Sequence, residues 1–182
     1  MEATSAAPAY RQATDGDGLV VMEAENAHRN IPHGIHSWVL SAQAGQTGTG
    51  VFQVLPNTGI NQNTDYVTFS PHLDFEIEFV HTGVHYVWIR ESGAGGGDDS
   101  LHVGFYGQAV VSADRMKGFG PALDWSQATM DGSVATIIVT STGLHTLNLW
   151  MREDGFVVDK VVLTINPTYI PIGTGPEEIP QN

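Results

Sequence analysis

The chain has 182 residues and a mass of 19.6 kDa, room for one domain with a real hydrophobic core. Seven Lys and Arg against 20 Asp and Glu leave a formal net charge of −13, which opposes any general affinity for nucleic acid or an anionic membrane. The absence of cysteine excludes disulfides and thiolate metal sites, and no apolar run of about 18 residues or charged-then-apolar start marks a membrane span or a signal peptide.

In chain order, residues 1–18 are small, polar and without periodicity, and read as a flexible leader. Val20 to Glu25 is a short apolar strand that places Glu23 and Glu25 at i and i+2, on one side. His28 to Trp38 reads as a histidine-bearing loop. His28, His33 and His36 lack the helical spacing of a zinc site and read as solvated. Val51 to Leu55 is a strand stopped by Pro56, and Asn57 to Thr64 is a polar loop. Tyr66 to Phe69 and Leu73 to Phe79 follow as strands, the second with Leu73, Phe75, Ile77 and Phe79 inward and Asp74, Glu76 and Glu78 outward.

After Gly83 the chain returns as Val84 to Arg90, with Val87 and Ile89 on one face and Trp88 and Arg90 on the other. Gly93 to Gly97 leads into Asp98 and Asp99, and Leu101, Val103 and Phe105 form a further alternating strand that turns at Gly107. Arg115 to Thr129 is a long connection carrying Trp125, and Val134 to Val139 is another strand. His145 to Met151 alternates with Leu147, Leu149 and Met151 inward. Glu153-Asp154-Gly155 is a turn and Val157 to Leu163 a closing strand, so the pair reads as a β-hairpin. The tail from Asn166 holds four prolines and reads as an extended Pro/Gly-rich linker over 166–182, leaving a domain over 19–165. With 21 glycines, 9 prolines and no convincing helix, the fold class is all-β.

Asp159 interrupts an otherwise apolar run, and a lone buried charge is costly without a cation or donors. If the first and last strands are neighbours, Glu23, Glu25 and Asp159 converge, and a hard cation such as Ca²⁺, with six to eight oxygen ligands, suits such a set. The plain alternative is that all three are exposed strand carboxylates. Trp88 with Arg90 and Trp150 with Arg152 repeat one off-core pattern. They form one aromatic and cationic surface if their strands share a sheet, or else pack under loops with the arginines paired to Glu76 and Glu78. Trp38 and Trp125 fall in predicted loops, where an exposed tryptophan has little structural reason to be.

Glu23-Ala24-Glu25, the stretch Gly83 to Arg90 and Gly155 to Asp159 together resemble carbohydrate-binding modules of the family 6 and family 35 type. The resemblance covers roughly residues 19–165 and implies a jelly-roll, galactose-binding-like β-sandwich. It implies a structural Ca²⁺ held by Glu23, Glu25 and Asp159, and a ligand cleft built by loops at one end. Many family 6 modules carry Asn two residues before the final Asp. Val157 stands there in this chain, which shifts the expected sugar contacts to Arg152, Glu153 and Asp154, beside Trp38, Arg90, Asp98, Asp99 and Trp125. The function implied is that of a non-catalytic module of a secreted, extracellular polysaccharide-degrading enzyme, covalently linked to a catalytic domain and binding a polysaccharide or oligosaccharide. The arginines point to an acidic or sulfated chain. Two alternatives stay open: a hydrolase or lyase using the acidic loops, and an adhesion module that packs on a neighbouring domain.

Overall fold

The computed structural model describes residues 8–118 and 120–182. In chain order the strands are β1 (Tyr10–Arg11), β2 (Val20–Glu23), β3 (Arg29–Ile31), β4 (Ser37–Ser41), β5 (Val51–Leu55), β6 (His72–Phe79), β7 (Gly83–Ser92), β8 (Leu101–Phe105), β9 (Gln108–Ala109), β10 (Met116–Lys117), β11 (Asp124–Ser126), β12 (Ala128–Thr129), β13 (Thr136–Val139), β14 (Gly143–Met151) and β15 (Val157–Thr164). Two short helical turns lie between strands among the described residues: a 3-10 turn over Ala24–Asn26, which ends the predicted first strand at Glu23 and carries Glu25, and α1 (Tyr66–Phe69), which precedes β6. The predicted strand at Tyr66 is therefore corrected to a helical turn, which buries Tyr66 by stacking it on His102 at 3.7 Å between ring centroids.

The strands form two sheets packed face to face. The eight-stranded sheet runs β1-β6-β14-β8-β10-β12, with β3 added to β6 and β9 to β8. The seven-stranded sheet runs β11-β7-β15-β5-β4, with β13 added to β7 and β2 to β15. This is a β-sandwich of the jelly-roll type. The period-2 alternation explains the core between the sheets: Leu73, Phe75, Ile77, Leu147, Leu149 and Val103 meet Val20, Met22, Val87, Ile89, Val161 and Leu163, and all are inaccessible to water. Leu149 sits between Leu73 and Val103 in register, so the expected inward set of β6 is the observed one.

The last two long strands are not a hairpin. β14 pairs with β6 and β8 in one sheet, whereas β15 pairs with β7, β2 and β5 in the other, so residues 152–156 cross the sandwich as an arch. Gly155 allows the crossing: its φ is +83°, and a Cβ there would lie 2.1 Å from the Asn57 amide nitrogen.

Both ends make contacts with the sandwich. Tyr10 is fully buried, β1 runs parallel to β6 with Tyr10 opposite Ile77, and the Gln12 amide is bonded to Gly18 O and His85. The part of the expected leader before Pro8 lies outside the described residues. The tail returns along the seven-stranded sheet, with Ile179 N donating to Val21 O at 3.1 Å and Ala9 and Asn182 exchanging two backbone bonds of 3.0 Å. Glu178 accepts from Tyr10 Oη, Glu23 N and Asn26 Nδ2. Tyr10 and Ile179 thus cover apolar surface that period-2 patterns alone do not reveal, while Ile170 and Ile172 stay exposed.

Candidate functional site

The acidic residues expected at the loop end are there, and they hold the loops together. Asp154 is fully buried and accepts from Thr58 N and Oγ1, Gly59 N, Ile60 N and His36 Nε2, at 2.7 to 3.1 Å. Burial alone raises its carboxyl, but the Thr58, His36 and Ile60 donors outweigh burial and hold it below the ordinary carboxylate value. Glu153 accepts from Asn61 Nδ2, Asp99 N, Ser100 Oγ and Arg152 Nη1. Arg152 is buried and also donates to Asn63 Oδ1 and Ser100 Oγ, while Asp98 accepts from Asn57 Nδ2. Arg152, Glu153, Asp154, Asp98 and Asp99 are therefore brought together as expected, but their polar atoms are engaged with loops 57–63 and 98–100. They staple the arch in place.

Beneath that staple lies a residue the sequence reading passed over. Glu91 is fully buried on the core side of β7, and among the described residues neither carboxyl oxygen has a hydrogen-bond partner. Burial first, and then the nearby Asp99 carboxylate, push it well above the ordinary value. Its place two positions after Ile89 in a strand with odd-numbered core residues was the available signal.

Glu23, Glu25 and Asp159 do gather where the first and last strands meet, at the loop around Thr47. The Thr47 hydroxyl lies 2.7 Å from Glu23 Oε2 and 3.1 Å from Asp159 Oδ2, and Glu25 Oε1 accepts from Thr49 N at 2.5 Å. Gly48 has a φ of +60°, a backbone that favours glycine, and a Cβ there would fall 1.9 Å from Glu25 Oε1, so a larger residue would displace that carboxylate. The donor set, however, is not one that fits Ca²⁺ as it stands. Arg90 Nη1 is 2.5 Å from Asp159 Oδ2, and Lys160 Nζ is 3.0 Å from Glu23 Oε1. Two buried protein cations stand against two of the three carboxylates, which leaves little net negative charge for a divalent ion. Arg90, expected at a sugar site, is 5 % exposed and is the partner that Asp159 required.

The tryptophans are placed differently from the expectation. Trp38 is on β4, not in a loop, and is 2 % exposed with its ring edge-on to Phe156. Trp125 is on β11 opposite Arg90, and its Nε1 donates to Gly173 O of the tail. Trp88 lies in a second apolar cluster with Val21 and Val162, against which Trp125, Tyr169 and Ile179 pack. Trp88 and Trp150 lie in different sheets on opposite outer faces, so the single aromatic and cationic surface does not form.

An open concave feature is on the other face of the sandwich. A cleft of about 440 Å³ lies over β6 and β14, lined by Arg29, Val67, His72, Asp74, Tyr106, Gly107, Thr146, Asn148 and Trp150. Its floor follows from the strand pattern, since Asp74, Asn148 and Trp150 take the parity opposite to the core residues. Gly104 makes room for the indole, because a Cβ there would be 2.2 Å from the Trp150 ring. Asn148 donates to Asp74 Oδ1 and accepts from Gly107 N, and Arg29 bridges Asp74 and Glu76. Tyr106 forms the wall. It and Gly107 both have positive φ, +58° and +67°, the tight two-residue turn that joins β8 to β9. A tyrosine rarely accepts that backbone, and Tyr106, its ring in contact with His145, is 49 % exposed as a residue at the rim. Sequence reading singled out Trp150 alone of this lining, because Asp74, Thr146 and Asn148 look like ordinary outward strand positions; the Tyr-Gly turn was a further local signal.

Residues 14–178 match the glycosyl hydrolase family 115 C-terminal domain. The chain belongs to this family. The region shared with other family 115 C-terminal domains reaches into both segments that the sequence reading had placed outside the domain. The chain is 28 % identical over 193 residues to an uncharacterised protein of Formosa agariphila, covering 88 % of this chain and 47 % of that protein, so it spans about half the length of the curated relative. Among solved structures, a family 35 carbohydrate-binding module from Clostridium thermocellum matches with a TM-score of 0.54 and 14 % identity, over 80 % of this chain and 96 % of that one. A family 35 module from Paenibacillus barcinonensis matches with a TM-score of 0.54 and 18 % identity, over 81 % and 99 %. The Podospora anserina GH26-CBM35 β-(1,4)-mannanase matches with a TM-score of 0.56 and 21 % identity, over 86 % of this chain and 29 % of that one. This family 115 C-terminal domain therefore has the fold of family 35 carbohydrate-binding modules.

Proposed function

We propose that the domain is a non-catalytic glycan-binding module that tethers an attached glycan-degrading catalytic domain to its polysaccharide at the cell exterior, and that the β6–β14 cleft is its binding site. The observation that carries this is Tyr106, half-exposed in a strained turn beside a floor of fixed polar groups. Sugars bind where a C–H face lies on an aromatic ring and hydroxyls meet preset donors and acceptors. The family membership and the shared fold support the accessory role. Tethering raises local substrate concentration without bond chemistry.

The cleft also revises the expected ligand. Arg90 and Arg152 are in buried ion pairs, and Arg29 is neutralised by Asp74 and Glu76, so the lining favours an uncharged, hydroxyl-rich glycan over an acidic or sulfated one. Affinity electrophoresis against a panel of neutral and acidic polysaccharides tests this. A neutral polysaccharide is expected to retard the protein without release of reducing ends or unsaturated product. Tyr106→Ala is expected to weaken that binding about 10-fold or more. Product release overturns the non-catalytic reading, and an unchanged affinity in Tyr106→Ala removes the cleft as the site.

A further inference from the structure

We propose that Arg90 and Lys160 replace the structural metal ion in this domain, so that side-chain cations, with no divalent ion, lock the first strand, the last strand and the tail together.

The geometry points to a division of the ion's work between two heads. A divalent ion in such a place gathers carboxylates and backbone carbonyls. The Arg90 guanidinium gathers one of each, with Nη1 on Asp159 Oδ2 at 2.5 Å and Nη2 on Gly45 O at 3.0 Å. Its planar fork suits that pair of acceptors in a way a single ammonium does not. Lys160 takes the remaining set, Glu23 Oε1 at 3.0 Å with the tail carbonyls Thr174 O at 3.2 Å and Pro176 O at 3.0 Å.

Strand register explains why both cations reach the same place. Lys160 is opposite Glu23 on β2 and opposite Arg90 on β7, so the three form one row across β2, β15 and β7. The register shift between Val158 and Lys160 lies at Asp159, and its carboxylate sits within reach of the row at 0 % exposure. Two carboxylates and two cations cancel. Thr47 closes the remaining acceptors, with its N–H on Asp159 Oδ1 and its hydroxyl between Asp159 and Glu23. A divalent ion entering here meets two buried positive heads at close range, which opposes its binding. Among the described residues one Glu25 oxygen is left buried without a partner, and a single oxygen is far short of a Ca²⁺ shell.

The test uses the full chain after EDTA treatment and buffer exchange. Metal content is read by plasma mass spectrometry and Tm with and without 1 mM CaCl₂. The expected results are no stoichiometric metal and the same Tm in both buffers. An ion binding a hundredfold below the added concentration would raise Tm by roughly 5–10 °C; that rise, or a retained equivalent of metal, overturns the proposal. Arg90→Gln in EDTA is expected to melt about 10 °C lower or not to fold, as breaking a buried pair leaves a charge unmatched. An unchanged Tm in Arg90→Gln also overturns it. Because the glycan cleft lies on the other sheet, loss of sugar binding and loss of metal independence are separate outcomes.

Discussion

Asp154→Ala lowers the stability of the domain by about 3–5 kcal/mol, with a fall in Tm on the order of 10 °C. The side chain is fully buried at the point where the chain leaves one sheet for the other. Removing it leaves the Thr58, Gly59 and Ile60 N–H donors without their carboxylate acceptor, each bond worth about 1–3 kcal/mol, and water reaching this exposed loop recovers part of the loss. Asp154→Asn is expected to fall between the two, because its amide oxygen keeps part of the acceptor role and its NH₂ faces donors. The pH dependence has a definite sign. The folded carboxyl is held below its ordinary value of 3.8, so its contribution is present above that pH and is lost as pH falls through the folded value. Urea denaturation at pH 7 and at pH 3 reads both effects, and a loss under about 1 kcal/mol at pH 7 would show the arch is held by packing instead.

Glu91→Gln has the opposite effect, stabilising the domain at pH 8 while leaving it nearly unchanged at pH 4. Glu91 must fold as the neutral acid, since burial and the Asp99 carboxylate disfavour its charge and neither oxygen has a partner among the described residues. Its folded pKa lies well above the ordinary 4.5. Stability from this group is fully present below that ordinary value and is lost as pH rises through the folded one, at about 1.4 kcal/mol per pH unit between them. Glutamine has the same shape and no charge to lose, so the gap between variant and wild type opens with pH. Chemical denaturation across pH 4–9 checks it. Parallel stability curves for the two proteins would mean that Glu91 is charged and compensated in the folded state.

Much of the fold was legible in the residues. The alternation of Leu73, Phe75, Ile77 and Phe79, and of Leu147, Leu149 and Met151, identifies the core faces of β6 and β14 correctly, because side-chain direction along a strand has period 2 whatever the strand pairs with. The apolar setting of Asp159 rightly demanded a partner, and the meeting of Glu23 with Asp159 follows from the first and last strands lying together. The candidate site was read less well. Tryptophans at 38 and 125 were assigned to loops because irregular, Gly-rich flanks hide short strands such as β4 and β11. The β6–β14 cleft escaped notice since its lining comes from strands far apart in the chain.

By itself, then, the sequence determined an all-β chain, the inward face of each long strand, and a buried carboxylate in need of a cation. Only the tertiary structure decided that β14 and β15 belong to opposite sheets, that Arg90 and Lys160 are the cations, and that the tail covers Trp88. The reason is physical: alternation fixes which side chains share a face, but it carries no information on which sheet the strand joins. A charge likewise shows that a partner is needed without showing from where in the chain that partner comes.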